Sequence, residues 1–278
     1  MPGLSDWANA ARATIILAVF AALTLPLMPV QWALLRISSR AARRFPHWYH
    51  KRVCRLLGIR LHIKGEIPPD TPVLIVSNHV SWLDIPVLSA AAPVSFIAKR
   101  EVGQWPFVSS LAKLQRTIFI DRARRSDVPK VAAEMQSRLQ QGDTLVLFAE
   151  GTSSDGNRVL PFKSSLLAIA AAGNAENSIG RPVQLQTLAV VYTHVHGVPL
   201  GRANRHLIGW YGDMEMGGHA WSLLKAGPID VTIRISPPLP LSEFADRKAL
   251  ARHTEDVVRA NVVDVLRGRD GAPAQTPH

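Results

Sequence analysis

A histidine and an aspartate five positions apart carry the clearest chemistry in this sequence. His79 and Asp84 follow the apolar run 73–76, whose β-branched residues indicate a buried strand. A neutral histidine can take a proton from a hydroxyl group, and an ionised aspartate can orient its ring and stabilise the imidazolium that forms. Five residues of regular helix rotate the chain by roughly 140°, so the pair can meet only across a turn. Taken alone, these residues could instead be structural, with a hydrogen-bonded histidine at the strand end and an aspartate near a helix start. Pro86 indicates that a helix begins there.

Further polar residues follow other predicted strands. Short apolar segments alternate with helical ones, which predicts an α/β layered fold with a largely parallel sheet. Arg122 follows a strand predicted at 117–120, and Glu150 follows one predicted at 144–149. Active sites of such sheets gather at the carboxyl ends of the strands. We therefore expect one cleft to hold His79, Arg122 and Glu150.

The overall charge indicates a negatively charged partner. The 278 residues contain 32 Lys or Arg and 21 Asp or Glu, a net charge of +11. Nucleic acid and an anionic membrane surface both suit such a chain. Cys54 is the single cysteine, which excludes an intramolecular disulfide framework and a multi-cysteine zinc site and favours a chain that faces the cytosol.

The N-terminal region has the features of a membrane anchor. Residues 13–35 contain no charge, and at 1.5 Å per residue they would cross a hydrocarbon core of about 30 Å. Because Pro26 and Pro29 are expected to kink or break a helix, a kinked span and an in-plane anchor are both open, and the span is slightly favoured.

A basic segment follows the anchor. Its cations alternate with aromatic and apolar residues and are Arg36, Arg40, Arg43, Arg44, Lys51, Arg52 and Arg55. Cations on one side of an apolar segment place that side in the cytoplasm and suit anionic headgroups. The alternative is an ordinary amphipathic helix with a solvated basic face. Nucleic acid is the weaker partner, because no reading module accompanies these cations.

The chain divides into three parts by composition. Residues 1–57 form the anchor and the basic amphipathic segment, 58–268 the α/β domain that carries His79 and Glu150, and 269–278 a tail predicted to be disordered.

Three short blocks resemble those of the glycerolipid acyltransferases, in particular the membrane-bound 1-acylglycerol-3-phosphate and lysophospholipid acyltransferases. Residues 78–84 are similar to the His-x4-Asp block, 119–122 to the second block and 148–152 to the third. The resemblance covers roughly residues 73 to 165 and keeps the family's block order.

The resemblance implies transfer of a fatty acyl group to the free hydroxyl of a lysolipid. The donor would be a thioester of acyl carrier protein or coenzyme A, acting as co-substrate with no further cofactor. His79 would act as general base on the hydroxyl, which attacks the thioester directly while Asp84 orients the ring, so no acyl-enzyme is needed. Cys54 lies outside every block and is interpreted as an inert thiol. With the anchor, this predicts a bacterial inner-membrane protein whose catalytic domain faces the cytoplasm.

The same resemblance implies a set of substrate-binding residues. Glu150, Gly151 and Thr152 would bind the acceptor, and their turn would offer oxyanion donors if a helix begins there. Arg122 would clamp an anionic group, its alternative being an ion pair with a neighbouring aspartate. Lys163 would make a weaker contact with the anionic substrate, or lie exposed at the surface.

The third block departs from the family at two positions. Ala149 and Ser153 stand where a proline and an arginine are common. Lysophosphatidic acid is the acceptor we expect, but the missing arginine makes residues 151–158 resemble a bacterial subgroup that includes lyso-ornithine lipid acyltransferases. In that alternative Asp155 would pair with an ammonium. Arg158 could equally replace the lost cation, so the two acceptors both stay open at this point.

Two other classes of function fit the sequence less well. A metal-dependent hydrolase would use His79, Asp84 and Glu150 as ligands, but the sequence has neither a His-Glu-x-x-His helix nor a cysteine set, and no metal site is expected. A non-catalytic basic membrane protein would leave the three ordered blocks unexplained.

Overall fold

Apolar segments alternate with helices along the chain, and the strands they form join in one sheet. The computed structural model describes residues 4–68, 71–121, 128–171, 183–240 and 243–269. The strands are β1 (Ile59–Lys64), β2 (Val73–Ser77), β3 (Val94–Lys99), β4 (Ile118–Ile120), β5 (Thr144–Phe148), β6 (Gln184–Val195), β7 (Val198–Pro199), β8 (Ile229–Ile235) and β9 (Leu239–Pro240). The helices are α1 (Leu4–Ile37), α2 (Ser39–Leu57), α3 (Asp84–Ala91), α4 (Val108–Leu114), α5 (Val128–Gln140), α6 (Ser164–Ala171), α7 (Met216–Ala226) and α8 (Arg247–Leu266). Short 3₁₀ helices cover Arg100–Gln104 and Arg202–Leu207.

The sheet is largely parallel, as the sequence predicts. Its strand order is β1-β8-β6-β2-β5-β3-β4, and β7 and β9 are short antiparallel partners of β6. Strands β6, β2, β5, β3 and β4 run parallel to one another, whereas β8 and β1 run in the opposite direction. Strand β2 therefore lies inside the sheet, and the chain that leaves its carboxyl end is flanked by β5 and β6.

Apolar side chains cover both faces of the sheet. In β5, Leu145 and Leu147 belong to one core cluster, whereas Val146 and Phe148 belong to the other. This alternation follows from the two-residue period of a strand. Helices α5, α6 and α8 pack on the first face, and α2, α3 and α7 pack on the second. A strand buried on both faces reads as a continuous apolar run, which is the pattern of residues 73–76.

The N-terminal helix is continuous, so its prolines do not break it, and the expected kink stays a prediction. Helix α1 contains Pro26 and Pro29 and has 34 residues, about 51 Å at 1.5 Å per residue. A proline lacks one helical donor, but the bonds of neighbouring turns persist. Its Gln31 amide donates to the carbonyls of Ala42 and Leu114, both at 2.9 Å, so α1 is fastened to the rest of the molecule.

The outer side of α1 is apolar and exposed. Within the described residues, its stretch Asp6–Ile37 is the one helix long and apolar enough to cross a membrane. Trp7 is 66 % exposed and Ile37 is 80 % exposed. Since exposed apolar surface of this extent is costly in water, the helix favours membrane association.

Apart from Arg36, which lies in the last turn of α1, the basic segment forms helix α2, whose inner side packs on α3. His47 and His50 bond through Nδ1 to the carbonyl and the hydroxyl of Ser89, at 2.8 and 2.9 Å. Burial lowers the pKa of His50 to about 4, so this histidine is neutral at physiological pH. The helix ends at Gly58, which adopts the left-handed conformation (φ 72°) and closes the last turn. The basic segment therefore supports the helix that begins at Asp84.

The last helix, α8, begins at Arg247 because the Asp246 carboxylate caps it. This carboxylate accepts from the backbone N–H groups of Lys248 and Ala249. Residues 270–278 of the predicted tail lie outside the described residues.

Candidate active site

The backbone that leaves β2 is fixed to the neighbouring strand. The Asn78 amide donates to the carbonyl of Val190 at 3.0 Å, and its oxygen accepts from the N–H of the same residue at 2.9 Å. These two bonds continue the β2–β6 ladder for one residue past the strand. His79 therefore starts from a fixed position at the carboxyl edge of the sheet.

His79 and Asp84 are in direct contact. Nδ1 of His79 lies 2.7 Å from Oδ2 of Asp84, and α3 begins at Asp84, so the intervening residues form a turn. The expectation that the pair meets across a turn is confirmed. Pro86 occupies the first turn of α3, where its missing N–H needs no partner.

The Asp84 carboxylate is fully buried and accepts from several donors. Oδ2 accepts the N–H groups of Val80 at 2.7 Å and Ser81 at 3.1 Å, and Oδ1 accepts the Tyr192 hydroxyl at 2.6 Å. Burial and the Asp84 charge raise the pKa of Tyr192 well above its ordinary value, which keeps this hydroxyl protonated. A carboxylate held in this way has one orientation, and it fixes the tautomer in which Nδ1 of His79 carries the hydrogen.

The opposite nitrogen of His79 is available for chemistry. Its ring stacks on Phe148 with centroids 4.1 Å apart, and the side chain is 19 % exposed. Among the described residues, Nε2 has no hydrogen-bond partner. An accessible lone pair on Nε2, opposite an oriented Nδ1–H, can take a proton from a hydroxyl group.

Glu150 supports the backbone of the motif. It is 1 % exposed, and its carboxylate accepts from the N–H of His79 at 2.9 Å and of Leu160 at 3.1 Å. The structure thus brings Glu150 and His79 together at the predicted edge, but the carboxylate faces the motif backbone. Its predicted contact with an acceptor hydroxyl stays a prediction.

The turn after Glu150 differs from the expected one. No helix begins at Gly151, since the next described helix is α6 at Ser164. The Gly151 N–H instead donates to the Phe148 carbonyl at 3.1 Å. Thr152 is exposed. The condition set for oxyanion donors here, a helix start, is therefore not met, because the chain makes a tight turn with Gly151 at φ 72°.

The structure describes one of the two predicted cationic contacts, Lys163. Arg122 lies outside the described residues, and the aspartate before it, Asp121, accepts from Arg100 at 3.3 Å. Lys163 bonds through its backbone N–H to the Ala149 carbonyl at 2.9 Å, next to Glu150, but its side chain is exposed.

Two later segments hold the turn from the other side. The N–H of Ser154 donates to the His79 carbonyl, and the N–H of Trp210 donates to the Val80 carbonyl, both at 2.9 Å. The Ser153 hydroxyl donates to the carbonyl of Trp210 and so joins these segments to each other. The residue that replaces the family's arginine therefore has a structural contact here.

Several residues of the site were not found from the sequence. Asn78 follows β2 and Phe148 ends β5 at the carboxyl edge, which is the signal that would have selected them, whereas Tyr192 lies inside β6. Trp210 carries no such signal, because it lies in an irregular segment. The described residues contain no group of three or more His, Cys, Asp or Glu side chains arranged to hold a metal ion.

Comparison with known proteins identifies the family. The acyltransferase family profile matches residues 58–191. A lyso-ornithine lipid O-acyltransferase from Brucella abortus (strain 2308) is 45 % identical over 259 residues, which are 93 % of this chain and 97 % of that protein. The chain belongs to the acyltransferase family. As an acyltransferase of lysolipids, it acts on a lysolipid and an acyl thioester.

Two further similarities concern relatives with another acceptor. A 1-acyl-sn-glycerol-3-phosphate acyltransferase from Neisseria meningitidis serogroup B is 30 % identical over 214 residues, 76 % of this chain and 78 % of that protein. The crystal structure of the 1-acyl-sn-glycerophosphate acyltransferase from Thermotoga maritima has a TM-score of 0.67 and 23 % identity, and covers 93 % of this chain and 95 % of its own. This likeness confirms the acyltransferase fold.

We expect Glu150→Gln to flatten the pH dependence of this acyltransferase's stability. Burial raises the pKa of Glu150 from 4.5 to about 8, although the N–H groups of His79 and Leu160 act in the opposite direction. Between these values the folded protein holds a proton that the unfolded chain has lost. The free energy of unfolding of the wild type therefore falls as pH rises, by at most about 1.4 kcal/mol per pH unit.

Urea unfolding in detergent micelles from pH 4.5 to 8.5 measures this slope. Glutamine cannot titrate, and its NH₂ group faces a backbone N–H. The free energy of unfolding of the variant is therefore about 1–3 kcal/mol below that of the wild type at low pH, and this difference shrinks towards pH 8. Glu134→Gln changes an exposed carboxylate and serves as the matched control. A deficit that is constant over the whole range contradicts the raised pKa.

Proposed function

We propose that this chain transfers a fatty acyl group from a thioester to the hydroxyl of lyso-ornithine lipid. The observation that carries the choice of acceptor is the 45 % identity to the Brucella abortus lyso-ornithine lipid O-acyltransferase over nearly its whole length. The lysophosphatidic acid acyltransferase from Neisseria meningitidis is less similar, at 30 %. The higher identity favours lyso-ornithine lipid as the acceptor. The sequence blocks alone favour lysophosphatidic acid.

The contact of Ser153 supports the same choice. The family's common arginine at this position would supply a cation for a phosphate, but the Ser153 hydroxyl bonds to the Trp210 carbonyl. The position is therefore used to fasten a loop, and a phosphate acceptor would lack that cation.

In the proposed reaction His79 is the general base. Nε2 takes the proton of the acceptor hydroxyl as its oxygen attacks the thioester carbonyl. Asp84 orients the ring and stabilises the imidazolium, and the thiol leaves with a proton. The acyl group passes directly between substrates, and acyl carrier protein or coenzyme A provides the thioester without a further cofactor. Burial raises the pKa of Cys54 to about 12, which supports its assignment as an inert thiol.

We also propose that the protein lies in the bacterial inner membrane with its catalytic domain towards the cytoplasm. The exposed apolar side of α1 and the cations of α2 support this orientation, because cations next to an apolar segment remain on the cytoplasmic side. The anionic membrane surface would then lie beside α2.

A direct competition tests the acceptor. We expect purified enzyme with an acyl-carrier-protein thioester to acylate lyso-ornithine lipid with a kcat/KM at least about tenfold above that for lysophosphatidic acid, because an unfilled ionic contact in the wrong complex costs affinity. Products are measured by mass spectrometry, and His79→Ala protein from the same preparation controls for contaminating acyltransferases. Preference for lysophosphatidic acid contradicts the proposal.

A further inference from the structure

A group of arginines lies beside the catalytic turn without ion-pair partners. Arg158 follows the third block, and Arg202 and Arg205 belong to the 3₁₀ helix Arg202–Leu207. Among the described residues, no carboxylate lies within ion-pair distance of these three guanidiniums. Asp155 is the acidic group in their vicinity, and its two oxygens accept from the backbone and side-chain N–H groups of Asn157 at 3.0 and 3.1 Å. The group therefore carries an excess of positive charge.

Arg205 is the most constrained of these cations. One Nη donates to the Asn157 side-chain oxygen at 3.1 Å, but Nε is buried with no partner among the described residues. Burial, followed by the charge of Arg202, lowers the pKa of Arg205, and the charge of Asp155 offsets only part of this effect. A guanidinium with a buried unpaired donor and a like-charged neighbour is stabilised by an anion that accepts from it.

The arginines share a narrow cleft with the catalytic motif. Arg158 and Arg205 line it together with Asn78, Val80 and Tyr192. Val80 follows His79, and the Tyr192 hydroxyl bonds to Asp84.

Gly156 allows the arginines and the catalytic motif to lie close together. It has φ 74°, and a Cβ there would lie 3.2 Å from Cγ1 of Val80 and 3.8 Å from Cβ of Arg205. The turn that carries Arg158 thus packs directly on the motif and on Arg205.

We propose that Arg205, assisted by Arg158, binds the anionic group of the acceptor headgroup, a carboxylate in an ornithine lipid or a phosphate in a lysophosphatidate. The charged headgroup of a lysolipid lies only a few bonds from its reacting hydroxyl, so it must be held close to His79. The phosphate of the donor is separated from its thioester by the whole pantetheine arm, which places it farther from the motif. The inference rests on the proposed function and assigns the residues that recognise its acceptor.

Kinetics of the full-length enzyme in mixed micelles test the subsite. We expect Arg205→Gln to raise the KM for lyso-ornithine lipid about 10- to 100-fold at saturating donor, with kcat and the donor KM nearly unchanged. Arg205→Lys keeps the charge but loses the planar donor pair, so its KM for lyso-ornithine lipid should lie between those of the wild type and Arg205→Gln. Arg158→Gln, at an exposed position, gives a smaller rise and tests the site even if Arg205→Gln does not fold. Arg252→Gln changes an exposed arginine on α8 and is the matched control.

A modified acceptor closes the test. The methyl ester of the ornithine headgroup lacks the anion, so the wild type should bind it at least as weakly as Arg205→Gln binds lyso-ornithine lipid. Esterification should raise the KM of Arg205→Gln much less than that of the wild type, because only the contact with Arg158 remains to be lost. A rise in donor KM alone, or an unchanged acceptor KM in folded variants, overturns the subsite. If the wild type acts on lysophosphatidic acid and not on lyso-ornithine lipid, the proposed acceptor is wrong, and the same KM shift measured with the phosphate still supports the subsite.

Discussion

His79→Ala should reduce the rate of acyl transfer by about 10²- to 10⁴-fold, the usual contribution of a positioned general base. The variant lacks the Nε2 lone pair that would take the proton of the acceptor hydroxyl. Its fold should persist, because the backbone of residue 79 keeps its bonds to Glu150 and Ser154, and Asp84 keeps its contacts with Tyr192 and the turn. Initial rates with saturating lysolipid and thioester measure the loss.

A matched histidine and a labelling experiment make this result specific. His194 is half-buried and bonds to the Thr193 hydroxyl at 3.0 Å, and its hydrogen bonds in the described residues include neither His79 nor Asp84, so His194→Ala should keep nearly full activity. Incubation of the wild type with a radiolabelled thioester and no acceptor should leave the protein unlabelled. A loss below tenfold in His79→Ala contradicts the general-base role, and a stable acyl-enzyme contradicts direct transfer.

The location of the dyad could be predicted from the sequence because it depends on local rules. The apolar run before His79 requires a buried strand, and Pro86 marks the first turn of the next helix. Parallel strands bring their carboxyl ends to one edge, which places Glu150 beside His79 although the two are 71 positions apart. Periodicity and edge position are sufficient for these statements.

The direction of each side chain could not be predicted in the same way. Glu150 follows its strand as expected, but a tight turn at Gly151 directs its carboxylate towards the backbone of His79. Tyr192 reaches Asp84 from 108 positions away. Such contacts depend on strand order and on the conformation of turns, and a sequence pattern specifies neither of them.

The contact of the irregular segment around Trp210 with the catalytic turn could not be predicted for a related reason. Its backbone N–H bonds to Val80, and its ring contacts Trp105 edge to face with centroids 5.7 Å apart. A backbone contact uses no particular side chain, so it leaves no mark on residue type. The sequence marks Ser153 only as the position where an arginine is missing. The structure shows that its hydroxyl donates to the Trp210 carbonyl, a contact that no sequence motif specifies.

We expect Asp84→Asn to reduce the rate about 10³-fold while the fold is retained. Asparagine can place its oxygen where Oδ2 accepts from His79, Val80 and Ser81, so the ring keeps its tautomer. Its NH₂ then faces the Tyr192 hydroxyl, which can rotate and accept instead of donating. What is lost is the negative charge beside the imidazolium, an interaction of about 4 kcal/mol at an effective dielectric constant of 20.

Tyr192 provides the control for this interpretation. Tyr192→Phe alone removes one donor from Asp84 and should cost about 1–3 kcal/mol of unfolding free energy with the dyad still assembled. In the double variant Asp84→Asn/Tyr192→Phe, the asparagine NH₂ has no acceptor. The loss of unfolding free energy in the double variant should therefore exceed the sum of the losses in the two single variants. Thermal unfolding and initial rates of the four proteins complete the cycle. Additive stability losses would mean that the hydroxyl does not rotate, and an Asp84→Asn rate within tenfold of the wild type would mean that the carboxylate charge does not act on the imidazolium.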